Sequence, residues 1–207
     1  RVPNPTAGMM HEQLDWLLNM ASTDPEAELF FYYSGHGNND EATKQAYLLP
    51  VDITGKNIHL GISLADLYQR LATYPVKGAY VFLDACFSGG YKSAAPLLAQ
   101  KGVRVVPKLG MPQGHTISFS SSSGDQTSSV YHDKKQGYYT YFLLKTIQDA
   151  HGDITMKELF ERTNAEVKKA TAFIGKMQEP QYIVSPTWTG WSDIQLKTPA
   201  VETAPVQ

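Results

Sequence analysis

The stretch that decides the fold is Ala79-Tyr80-Val81-Phe82-Leu83-Asp84-Ala85-Cys86-Phe87-Ser88-Gly89-Gly90. It opens as a continuous apolar and aromatic run, the pattern of a strand buried on both faces. The run stops at an acid, the only cysteine in the chain and a Ser-Gly-Gly turn. Open α/β sheets place their ligand sites at such strand ends. Side chains alternate along a strand, so Asp84 and Cys86 are expected on one side, provided the pleat lasts that far.

Leu29-Phe30-Phe31-Tyr32-Tyr33 has the same form and predicts a second buried strand, running into Ser34-Gly35-His36-Gly37. A histidine between two glycines at a strand end can turn its ring to open space. Cys86 follows His36 by 50 positions.

These residue types point to nucleophilic catalysis. An unperturbed thiol is only a few per cent thiolate at neutral pH, and a histidine within reach can stabilise the thiolate or take the proton on attack. The same imidazole can then protonate a leaving amine. A tetrahedral oxyanion needs donors, and the main-chain N–H groups of Gly37 and Cys86 are the natural candidates. Taken singly, His36 could be a turn histidine and Cys86 a small core residue; their joint placement at two strand ends favours catalysis.

The two motifs together resemble the caspase-like cysteine peptidases. Asp84 stands where animal caspases carry glutamine, which moves the chain toward the metacaspase and orthocaspase branch. The likeness continues through Gly124-Asp125-Gln126-Thr127-Ser128, Gly137-Tyr138-Tyr139-Thr140 and Gln178-Glu179-Pro180, and so covers residues 5–196. It implies an α/β fold, a mixed and mostly parallel sheet with helices on both faces. It also implies that an initial strand, helix and strand lie outside this chain, as a missing or fused N-terminal segment. The implied activity is a cysteine endopeptidase acting on protein or peptide substrates after Arg or Lys. In this family the acid two residues before the nucleophile, here Asp84, holds the basic side chain. The alternative for Asp84 is a structural acid accepting N–H groups at the strand end, with the pocket role favoured. Asp125 is the candidate for a second pocket acid, set against a solvated turn acid.

Many metacaspases share a calcium site built from several acids. Phe87 to Gln100 contains no Asp or Glu, and only Asp40 and Glu41 offer paired carboxylates. That is too few oxygen ligands for calcium, so no metal and no other cofactor are expected. The remaining histidines, at 11, 59, 115, 132 and 151, sit in no motif. In caspase-like enzymes the region after the nucleophile strand joins the large and small portions. Here Tyr91 to Gly114 carries Lys92, Lys101, Arg104 and Lys108. Self-cleavage at these residues and a chain that works uncut, with Val103 to Val106 as a shielding strand, both stand open.

The rest of the chain supports one sizeable domain over residues 1–196, with a tail or linker over 197–207. Its 207 residues allow a proper core, and 42% hydrophobic with 18% charged residues is an ordinary globular balance. A net charge of −2 leaves no footprint for nucleic acid or a membrane surface. The sequence leaves the location undecided between compartments, with cytoplasm the preferred reading for a soluble chain. Helices are predicted from Asn4 and Pro5 to about Ala21, from Ser63 to Leu71, over Tyr139–Ala150, and from the capping box at Thr155 and Glu158 to Ala172. Further strands are expected at Tyr47–Pro50, His115–Ser120 and Gln181–Ser185, with loops over 38–46 and 121–137.

Two other functions compete. A caspase-like module that binds without cleaving is one. The other is a phosphoacceptor receiver domain, since a buried strand ending in Asp84 also suits that role. The receiver reading needs an acidic pair on an earlier strand and a later lysine, and neither is visible.

Overall fold

The computed structural model describes residues 2–54, 56–87, 107–123 and 126–196. Helix α1 (Ala7–Ala21) leads into β1 (Glu28–Ser34), then β2 (His36–Asn39), β3 (Ala46–Leu49), β4 (Ile62–Ser63) and helix α2 (Leu64–Leu71). Strand β5 (Gly78–Asp84) and β6 (Thr116–Ser120) follow, then β7 (Val130–Tyr131) and β8 (Gln136–Gly137). Helices α3 (Tyr138–Asp149) and α4 (Met156–Phe173) precede the final strand β9 (Gln181–Val184).

Among the described residues the central sheet has the order β1-β5-β6-β9. β1, β5 and β6 are parallel and β9 is antiparallel, so the sheet is mixed and mostly parallel. Helices cover both faces, which makes the fold α/β, as the sequence predicts. The two sides are built by the alternation of β5. Val81, Leu83 and Ala85 join a cluster with Met10 and Leu14 of α1 and Leu64 and Leu67 of α2. Tyr80 and Phe82 join Ile117 and Phe119 of β6 with Leu143 of α3 and Leu159 of α4. Every residue of β5 is buried, as expected of a strand flanked on both faces.

β1 departs from expectation. Among the described residues it is the last strand of the sheet on its side, and only alternate residues are covered: Leu29 and Tyr33 are buried, while Phe30 and Tyr32 are about half exposed. An apolar run of five cannot by itself distinguish an edge strand from a central one.

Other differences are local. The first helix is capped by Thr6, whose hydroxyl accepts the Met9 N–H at 3.3 Å, and not by Asn4, which takes a left-handed φ of 50°. The polar segment His36–Asn39 is a strand because it pairs antiparallel with β3, with Gly37 opposite Leu48. The region 121–137 also contains a small hairpin, β7–β8. The caps at Ser63 and Thr155 are present, the latter as a full capping box with Glu158. Residues 197–207 lie outside the described residues.

Candidate active site

The ends of β1 and β5 are matched residue for residue. Ser34 pairs with Asp84 at the last rung of the ladder. One step further, the Gly35 N–H donates to the Asp84 carbonyl at 3.2 Å. His36 and Cys86 are therefore each two residues past a paired position on neighbouring parallel strands. The contact continues at Gly37: a Cβ there would meet the Cys86 carbonyl oxygen at 2.7 Å and the Phe87 ring at 2.6 Å. Only a residue without a side chain lets the histidine segment lie this close to the cysteine segment. His36 is exposed and Cys86 half-buried.

Tyr33 fixes the turn that carries His36. Its buried phenol is shared between the carbonyls of His36 at 2.8 Å and Leu49 at 2.9 Å. Burial pushes its pKa up to about 12, against a smaller downward pull from the Leu49 carbonyl bond, so it stays a neutral donor. The sequence shows Tyr33 only as an apolar strand residue; this role depends on the β2–β3 hairpin folding back over it.

Asp84 is buried and faces α3. Its Oδ2 accepts the Thr140 hydroxyl at 2.5 Å and the Thr140 N–H at 3.2 Å. Thr140 lies in the first turn of α3, where free N–H groups and the helix dipole favour an anion. Because the threonine proton goes to the carboxylate, the Tyr32 phenol, 2.7 Å from Thr140 Oγ1, donates into the chain. Burial raises the Asp84 pKa, opposed by the Thr140 hydroxyl, the Thr140 N–H and the Ser121 hydroxyl. No described lysine or arginine pairs with it. Asp84 thus accepts donors from the start of α3 at the strand end.

Strand β5 ends at Asp84, so the pleat does not extend to Cys86. Both side chains nonetheless meet the segment that leads into α3. The Ser128 N–H donates to Cys86 Sγ at 2.8 Å, and Sγ lies 3.8 Å from the Ser128 carbonyl oxygen. Ser121 ties this region to β5: its N–H donates to the Leu83 carbonyl at 2.8 Å and its hydroxyl to the Ala85 carbonyl at 3.3 Å. The Ser121 and Ser128 hydroxyls are also bonded to each other. Sequence reasoning missed Ser121 and Ser128. The available signal was an excess of serine in a segment whose neighbours Ser120 to Ser122 are all buried.

Asp125 lies outside the described residues, as do Gly89, Gly90, Lys92, Lys101 and Arg104. Lys108 is described, and its main chain is not loose. Its N–H donates to the Lys44 carbonyl at 2.7 Å and its carbonyl accepts the Ala46 N–H at 3.1 Å. Among the described residues no three His, Cys, Asp or Glu side chains come together to hold a metal. Asp40 Oδ1 is already taken by Thr43 and Ala42, bonds that hold its carboxyl below the usual range. No helix of the described residues is long and apolar enough to cross a membrane.

A mixed, mostly parallel sheet flanked by helices, with a cysteine and a histidine just past the ends of two adjacent strands, is a caspase-type fold, and the comparisons agree with that fold. The caspase domain family matches residues 1–188, and the chain belongs to that family. Metacaspase-2 of Arabidopsis thaliana is 29% identical over 172 residues, covering 72% of this chain. The chain spans only 40% of the length of that relative. Among solved structures, a protein of Geobacter sulfurreducens matches with a TM-score of 0.59 at 14% identity, over 89% of this chain and 76% of that one. Caspase-1 of Spodoptera frugiperda matches with a TM-score of 0.56 at 13% identity, over 90% of this chain and 71% of that one.

Proposed function

We propose that the chain is a cysteine endopeptidase in which His36 and Cys86 form the catalytic dyad and Asp84 receives an Arg or Lys side chain before the scissile bond. The observation that carries it is the register of Ser34 with Asp84, which brings the two motifs to adjacent strand ends with Gly37 seated on Cys86.

The reaction runs in two halves. The Cys86 thiolate attacks the scissile carbonyl carbon, and the C=O electron pair moves onto oxygen, where the Gly37 and Cys86 N–H groups act as donors. Collapse expels the amine, which takes a proton from the His36 imidazolium, and leaves a thioester on Cys86. Water then adds to the thioester as His36 removes its proton. The acid departs, and sulfur returns as thiolate beside a protonated His36.

The Asp84 environment supports the proposed preference for a basic residue. A desolvated carboxylate without a cation is poorly stabilised, and an entering guanidinium or ammonium would favour its charged form. Asp125 is the proposed second acid. Calcium independence belongs to the same reading, since the donors at hand are too few.

A panel of fluorogenic peptides ending in Arg, Lys or Asp, with and without a chelator, tests all of this. Turnover of the Arg and Lys peptides, insensitive to chelator and lost in Cys86→Ala and His36→Ala, is expected. Comparable turnover in Cys86→Ala would sink the dyad. A chain that folds but cleaves nothing would be a binding module.

A further inference from the structure

Gln178 lies between α4 and β9 and is only 2% exposed, although its side chain is a carboxamide. Both halves of that amide are used, and the partners fix its orientation. Nε2 donates to the Ser121 carbonyl at 2.9 Å, and Oε1 accepts the Ser129 N–H at 2.8 Å. One side chain thus bridges the two ends of the segment that faces Cys86. The next residue adds a third tie, the Glu179 N–H donating to Gln126 Oε1 at 2.7 Å.

The Ser129 N–H belongs to the same planar peptide unit as the Ser128 carbonyl, and in a trans peptide the two point in opposite directions. There are no cis peptide bonds among the described residues. This one peptide unit is therefore held between the Gln178 amide on one side and the Cys86 sulfur on the other. It cannot rotate without breaking the Gln178 bond. The preceding N–H, that of Ser128, is the donor to Sγ. A carbonyl suits a thiol S–H, whereas an N–H suits a thiolate.

We infer that Gln178 is a positioning residue of the active site: by anchoring Ser128 from its C-terminal side, through the Ser129 N–H, it keeps Ser128 seated over Cys86 so that the Ser128 N–H stays on the sulfur and can donate to the thiolate. The inference rests on Cys86 as the nucleophile but not on which peptide bond is cut.

Cys86 is the only cysteine in the chain, so alkylation with iodoacetamide reports this sulfur alone. In Gln178→Met, which keeps length and burial but loses both hydrogen bonds, alkylation near neutral pH should fall about tenfold, the scale of one hydrogen bond to an ionised group. The profile against pH should move to higher pH and rejoin the wild type where both thiols are fully ionised. A merely structural Gln178 would lower stability and leave that profile in place. A folded Gln178→Met protein with an unchanged profile overturns the inference. Hydrogen exchange on the unmodified chain gives a second test that needs no variant. Slow exchange of the Ser128 and Ser129 amides is expected, and exchange as fast as in an open loop overturns the clamp. Peptide hydrolysis, scored separately, tells failure of the peptidase reading from failure of this one.

Discussion

Gly137 turns its bare Cα to the carboxylate of Asp84, so close that a Cβ at 137 would occupy the space of Oδ2. The backbone there is ordinary, with φ of −68°, so alanine would meet no conformational penalty of its own. Any effect of Gly137→Ala must come from the collision. Overpacking of this kind costs about 1–3 kcal/mol. We expect a corresponding fall in melting temperature, and a larger loss in kcat/KM on Arg and Lys peptides as Asp84 is pushed from Thr140. Wild-type values for both would show that the carboxylate can move freely.

Asp84→Asn should separate stability from activity. The folded state raises the Asp84 pKa, so it binds more protons than the unfolded state between the usual carboxylate pKa and the raised one. Its favourable contribution is complete below that window and is lost as pH rises through it. The Asn variant lacks this loss. Urea midpoints at about pH 4 and about pH 7 should therefore fall more for wild type than for Asp84→Asn. Activity on Arg and Lys peptides should drop by at least about tenfold, the scale of a lost charge-assisted bond. Retained preference for basic residues would place the pocket elsewhere.

Tyr33→Phe keeps the ring and removes the donor to the His36 and Leu49 carbonyls. Both main-chain acceptors would lose the bond from the Tyr33 hydroxyl, at a cost of about 1 kcal/mol. The turn carrying His36 should loosen, so kcat should fall while KM stays near wild type. A variant with unchanged kcat would leave Tyr33 only a packing role.

The sequence leaves self-cleavage open, but the structure narrows it at one position. Lys108 is bonded through its main chain to both Lys44 and Ala46. A protease needs a free extended backbone at the cut, so no new terminus should follow Lys108. Mass spectrometry of the active protein and Cys86→Ala, incubated together, checks this. A fragment ending at Lys108 only in the active sample would contradict it.

How far the site could be read from residues alone depended on where each interaction lies. β5 was legible because every residue is apolar up to Asp84, and a strand buried on both faces leaves that trace. The strand-end placement of His36 and Cys86 was legible because each follows an apolar run, whether or not the strand is covered on both faces. The edge position of β1 was not, since exposure of Phe30 and Tyr32 depends on what fails to cover them. β2 had no strand signal in His-Gly-Asn-Asn; its pairing with β3 creates it. Asp84 carried two roles that no local pattern separates, and its contact with Thr140 spans 56 positions. Gln178 was visible only as a shared family motif, because its partners lie 49 and 57 positions away.

The division of the interior into two clusters has a consequence for how the molecule would fail. The His36 turn is held through Tyr33, which belongs to the cluster beneath α1 and α2. Asp84 instead meets the first turn of α3, on the side of α3 and α4. His36 and Cys86 follow the strands at the seam where these halves meet, and among the described residues only β5 contributes to both clusters. Mild denaturant that loosens either half would part His36 from Cys86 while much of the sheet persists. Activity would then vanish ahead of the spectroscopic signal of unfolding, as in a hinge whose pin slips before either leaf bends.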